Sequence, residues 1–69
     1  MDKEWVKIYS NTFGPKVEML KQLLENESIP AMILNLQDSA HVHLGEHELF
    51  VKRSNVIRAK HHIESWENE

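Results

Sequence analysis

The chain has 69 residues, of which eight are Lys or Arg and eleven are Asp or Glu, and its formal net charge is -3. A chain this short makes one small domain that buries only about 60% of its unfolded surface, which excludes a multidomain enzyme and leaves little room for an internal catalytic cleft. It contains no cysteine, which excludes a disulfide-stapled secreted module and a thiolate zinc site.

Residues 5–9 predict the first strand, because β-forming residues alternate there between two faces. One face carries Val6 and Ile8. The other carries Trp5, Lys7 and Tyr9.

Residues 10–14 are rich in turn formers, and Pro15 suits the first turn of a helix, where its missing N–H is no loss. Leucines at helical spacing then predict an apolar stripe, formed by Val17, Met19, Leu20, Leu23 and Leu24. The helix ends before Ile29, because a residue that precedes proline prefers an extended backbone.

The second half predicts two strands and a second helix. Residues 30–34 form a continuous apolar run, and residues 46–51 are interpreted as a strand whose side chains alternate between two faces. The one long connection lies between them, over residues 35–45. Ser54 is the predicted N-cap of a helix with four apolar positions, Val56, Ala59, Ile63 and Trp66.

This order predicts an α+β fold of the type β-α-β-β-α. Strands one and two should be parallel, because a helix connects them, and strands two and three should be antiparallel. The arrangement that satisfies both is a split β-α-β with strand three in the centre and both helices on one face, a ferredoxin-like sheet that lacks its last strand. Two surfaces would stay bare, namely the outer edge of strand one and the helix-free face with Trp5, Lys7, Tyr9, Glu48 and Phe50.

The runs WVKIYS (5–10), LNLQDS (34–39) and GEHELFV (45–51) resemble a family of small bacterial domains, the prokaryotic signal transducing proteins. The resemblance spans about residues 5–63. It implies a ferredoxin-like or PII-like α+β fold, a bacterial origin and a regulatory role, and it implies no reaction. The second helix departs from the family, where it is usually acidic, because it is basic in this chain.

Positive charge is concentrated late in the chain. Residues 49–63 hold four Lys or Arg and no carboxylate, so the remainder carries a formal charge of -7. This balance argues against a dedicated nucleic-acid binder and leaves room for a local anion site. No apolar run approaches the roughly 20 residues that span a bilayer, and the N-terminus lacks a signal-peptide core, so we expect a cytoplasmic protein without membrane contact.

Three histidines, His41, His43 and His47, lie within seven positions and have carboxylates beside them. Imidazoles two apart on a strand point the same way, so a divalent-metal site is sterically possible, although the spacing matches no established zinc motif. Solvated histidines in a polar loop explain the same pattern. A metal-binding or metal-sensing domain is therefore the alternative hypothesis.

The long connection carries polar side chains that bond to nearby backbone, at Asn35, Gln37, Asp38 and Ser39. They predict either a self-capped turn or a recognition loop that binds a protein or small ligand. Trp5, Tyr9 and Phe50 predict a second contact surface on the helix-free sheet face, where self-association explains aromatics better than stacked RNA bases do.

No catalytic triad order, phosphate loop or thiol is present, so we predict no enzyme activity and no cofactor. The leading hypothesis is a single domain over residues 1–69, with its core over 5–63 and a short acidic tail over 64–69. We expect a signal-transducing or regulatory interaction module that binds an unidentified protein or small molecule. We further expect a homo-oligomer, formed through the open sheet face or the edge of strand one.

Overall fold

A computed structural model describes residues 4–36 and 46–68 of the chain. Three strands and two helices follow in the predicted order, and a 3₁₀ turn over Arg53–Asn55 precedes the second helix. Their bounds are β1 Trp5–Asn11, α1 Gly14–Asn26, β2 Ala31–Leu36, β3 Glu46–Lys52 and α2 Val56–Glu67. The α+β fold class is confirmed. No helix in these ranges combines the length and the apolar character needed to cross a membrane.

The three strands form one sheet in the order β1-β3-β2, and both neighbouring pairs are antiparallel. β3 is the central strand, and three of its consecutive residues, Leu49, Phe50 and Val51, are buried. The predicted strand order is thereby confirmed.

Both helices pack against the same side of the sheet. The leucines and valine of α1 meet Leu49 and Val51 of β3, and Ala59 and Ile63 of α2 join the same cluster. Among the described residues, eight buried side chains form this core: Val17, Leu20, Leu24, Ile29, Leu49, Val51, Ala59 and Ile63. Each buried leucine or isoleucine contributes about 1.5–3 kcal/mol to folding.

The end of α1 is closed by its own backbone. Ser28 adopts a left-handed conformation with φ 64°, and the N–H of Ile29 donates to the carbonyl of Leu24 at 2.9 Å. The N–H of Ser28 donates to the carbonyl of Glu25 at 3.0 Å. These two bonds form a Schellman motif, which directs the buried Ile29 back onto the last turn of α1.

A β-bulge in β1 corrects the predicted faces of that strand. Lys7 lies opposite Phe50, and Tyr9 lies opposite Leu49, the very next residue of β3, so Ile8 is an extra residue in the register. Tyr9 therefore packs against the helix-side core beside Ile8. The expectation that Tyr9 shares the helix-free face with Trp5 is wrong, because the bulge reverses the alternation.

The boundaries of α2 also differ from the prediction. Its N-cap is Asn55, without a side-chain capping bond, and Ser54 lies inside the preceding 3₁₀ turn. The helix continues to Glu67, so most of the acidic segment predicted as a tail is helical. Trp66 in this last turn packs against the core cluster.

Candidate binding groove

The helix-free sheet face carries Trp5 and Phe50, as predicted, but it is not a bare aromatic surface. Phe50 is only 8% exposed, and Lys7 lies directly across from it. The Nζ atom of Lys52 lies 5.9 Å from the ring centre of Trp5. The Nζ atom of Lys7 pairs with Oε2 of Glu48 at 3.3 Å, so charged groups lie on this face together with the two aromatic rings.

Most of the predicted loop site lies outside the described residues, namely Gln37, Asp38, Ser39, His41 and His43. Asn35 belongs to β2, where it is exposed and lies opposite His47 of β3. The imidazole of His47 packs on the start of α1, where a Cβ atom on Gly14 would lie 2.9 Å from Nε2. Within the described ranges, no three histidine or carboxylate side chains converge as a metal site would require.

The exposed apolar surface lies on the helix layer instead. Phe13 is 62% exposed and Met19 is 51% exposed, and both border a groove of about 280 Å³ between the start of α1 and the end of α2. The groove is lined by Phe13, Pro15, Lys16, Met19 and Trp66. Large apolar side chains with this exposure commonly mark a contact surface when they are contiguous.

The chain reaches the groove through a tight turn after β1. The N–H of Phe13 donates to Oδ1 of Asn11 at 2.8 Å, an Asx-type turn that holds Phe13 just outside the helix. Pro15 occupies the first turn of α1, where proline is well tolerated. Phe13 is thus 62% exposed and lines the groove together with Trp66 of the last turn of α2.

A line of polar contacts runs beside the groove. Nδ2 of Asn11 donates to the hydroxyl of Tyr9 at 3.4 Å, and that hydroxyl donates to Oε2 of Glu67 at 3.5 Å. The same Oε2 atom lies 3.7 Å from Nζ of Lys16. These contacts connect Lys16 in the groove to the end of β1 and to the last turn of α2.

Lys16 supplies the cation of the groove. Its Nζ atom lies 5.8 Å from the ring centre of Tyr9 and 5.7 Å from that of Trp66, within cation–π range of both. Hydrogen bonding and charge interaction with Tyr9, followed by the carboxylate of Glu67, raise the pKa of Lys16 above its ordinary value of 10.5. The ammonium is therefore fully charged at neutral pH.

The basic residues of α2 do not extend the groove. Nη2 of Arg58 donates to the backbone carbonyl of Glu27 at 3.3 Å, and Nε2 of His62 lies 3.9 Å from Oε1 of Glu27. Part of the positive charge of this helix thus serves the contact with the end of α1. Ile57, on the same helix, is almost fully exposed to solvent.

Sequence reasoning placed Met19 and Trp66 on helical stripes and missed Phe13 and Lys16 as site residues. A signal was present, since Phe13 is a large aromatic residue inside a polar turn segment. Comparisons with protein-family models, with curated proteins and with solved structures each find no match.

Proposed function

We propose that this chain is a non-catalytic regulatory module that binds a small amphipathic carboxylic acid in the groove. The observation that carries the proposal is the combination of an exposed apolar groove with one ammonium group in its lining, that of Lys16. The proposal includes a regulatory role in the bacterial cytoplasm, which is what the sequence resemblance to prokaryotic signal transducing proteins implies. The β-α-β-β-α order with a central β3 supports a ferredoxin-like or PII-like fold without its last strand.

The dimensions and lining of the groove support a small amphipathic acid as the ligand. A volume of about 280 Å³ lies at the lower limit of ligand pockets, which suits a medium-chain or aryl acid. Its apolar body would contact Phe13, Met19 and Trp66, and burial of that body releases about 25 cal/mol per Å². The present partner of Lys16, Glu67, is 3.7 Å away and its side chain is 41% exposed, so a ligand carboxylate can take its place.

The electrostatics of the groove favour binding over catalysis. An amine nucleophile needs a lowered pKa, whereas the pKa of Lys16 is raised. The carboxylate nearest to it, that of Glu67, is already engaged by Tyr9 and Lys16. A charge held in this way orients an anion and does not transfer a proton at neutral pH.

Titration with sodium octanoate, followed by the indole N–H resonance of Trp66, tests the proposal. About ten non-hydrogen atoms at about 0.3 kcal/mol each predict a Kd on the order of several millimolar. Octanamide has the same chain and no charge. Replacing Lys16→Met should weaken octanoate binding about fivefold, the value of a partly exposed ion pair, and change octanamide binding less than twofold.

Lys21→Met is the matched control. Lys21 lies on the same helix and pairs with Glu25 at 3.3 Å, but it does not line the groove, so its loss should change neither affinity. The proposal is wrong if 20 mM octanoate leaves the Trp66 resonance unmoved, or if both lysine variants weaken octanoate equally. Binding of an acidic, apolar peptide in the absence of octanoate binding would overturn the small-acid assignment in favour of a protein segment.

A further inference from the structure

The two outer edges of the sheet differ in regularity. β2 pairs with β3 at six successive positions without a register shift, and none of its residues, Ala31–Leu36, is charged. β1 is interrupted by the bulge at Ile8 and carries Lys7. Bulges and lysines are devices by which proteins keep a sheet edge from pairing with another chain, and β2 has neither.

The backbone groups on the outer edge of β2 have no strand partner among residues 4–36 and 46–68. Within these ranges, the only strand partner of β2 is β3. Alternate residues of an edge strand direct N–H and C=O outward, so a six-residue strand offers roughly three of each. A neighbouring strand satisfies these groups with hydrogen bonds that continue the ladder.

We propose that the occupant of this edge is the β2 strand of a second copy of the chain, which yields a continuous six-stranded sheet in a two-fold symmetric dimer. A two-fold axis perpendicular to the sheet pairs β2 with itself antiparallel, the same relation as in both existing pairs. A strand without charged residues meets no like-charge repulsion when it faces its own copy.

The two faces of β2 also match across such a junction. Ala31 and Ile33 lie on the helix side and pack against the core, and Met32 lies opposite Phe50 on the other side. Rotation about an axis perpendicular to the sheet keeps the helix layers of both copies on one side. Half-buried apolar residues of β2 would therefore continue into the same layers of the second copy.

This assignment replaces the surfaces expected from the sequence alone, the edge of strand one and the open sheet face. The bulge disfavours the first, and the burial of Phe50 reduces the apolar area of the second. The dimer is independent of the proposed ligand, because the groove adjoins the end of β1, across the sheet from β2.

A pair of lysine substitutions tests the dimer by sedimentation velocity up to 1 mM protein. Leu34 on β2 and Ser10 on β1 both lie opposite Glu48 of β3. Leu34→Lys and Ser10→Lys therefore place the same charge beside the same carboxylate, on opposite edges. The wild type should approach about 16 kDa, twice its 8.1 kDa, and Leu34→Lys should weaken association at least tenfold, while Ser10→Lys leaves it unchanged.

A wild type that stays at 8.1 kDa at 1 mM, or equal dissociation by both variants, overturns the proposal. A spin-label experiment tests the same dimer without the Leu34→Lys variant, in case that variant folds poorly. The chain has no cysteine, so a nitroxide on Asn35→Cys or Ser10→Cys reports one site. In the proposed dimer, the two β1 strands are five strand spacings apart, which is about 24 Å at about 4.8 Å per spacing. The two β2 strands are one spacing apart. Strong dipolar coupling between the nitroxides of two copies should appear for the label at position 35 and not for the label at position 10. No coupling at position 35, or strong coupling at position 10, contradicts the dimer.

Discussion

Replacement of Ser28 by glycine should stabilise the protein, which is the opposite of what most substitutions do. Ser28 has φ 64°, a left-handed conformation that costs a residue with a Cβ atom about 1–2 kcal/mol. Glycine avoids this cost, but it loses about 0.5–1 kcal/mol through the greater freedom of the unfolded chain. The midpoints of these two ranges give a net gain for Ser28→Gly of about 0.8 kcal/mol.

The backbone bonds of the Schellman motif permit this substitution. The N–H groups of Ser28 and Ile29 donate to Glu25 and Leu24, and neither bond uses a side-chain atom of Ser28. Ser28→Gly therefore removes the conformational penalty and leaves the closure of α1 in place. Ser28→Ala keeps the penalty and serves as the matched control, with an expected change near zero.

Urea unfolding followed by circular dichroism measures this difference directly. The midpoint for Ser28→Gly should rise with an unchanged m-value, and the thermal midpoint should rise by about 2–8 °C for a domain of this size. The midpoint for Ser28→Ala should stay with the wild type. A glycine variant that is neutral or less stable, or an alanine variant that gains equally, would refute the account of strain at Ser28.

Two further predictions concern the surroundings of the groove. Gly14→Ala should lower the free energy of unfolding in urea by up to about 1 kcal/mol, because the added Cβ atom displaces the His47 ring. This cost should vanish in the His47→Ala background. Equal costs in both backgrounds would refute the contact between Gly14 and His47. The raised pKa of Lys16 stabilises the fold below pH 10.5, and this stabilisation is lost as pH rises through the folded value, so Trp66 fluorescence should report loosening of α2 above that pH. Lys16→Met should lack that component of the pH profile, and identical alkaline profiles would contradict it.

The candidate site shows where sequence reasoning reached its limit. The sequence predicts Phe50 on a bare sheet face, but Phe50 is buried in the central strand, where the strand register places Lys7 on one side of it and Met32 on the other. The exposure of Phe13 depends on the turn from Asn11 into α1 and on the last turn of α2. Neither environment is local in the sequence.

The types and order of the elements followed from the sequence, because they depend on local properties. Alternation identified β1 and β3, a continuous apolar run identified β2, Pro15 placed the start of α1, and the connection lengths put β3 at the centre. The side on which Tyr9 lies was decided by tertiary structure. The alternation of β1 continues through Ile8 without a break in sequence, and a bulge exists only as a mismatch with β3. Local pattern determines what a segment forms, whereas pairing with a distant strand determines which of its side chains meet.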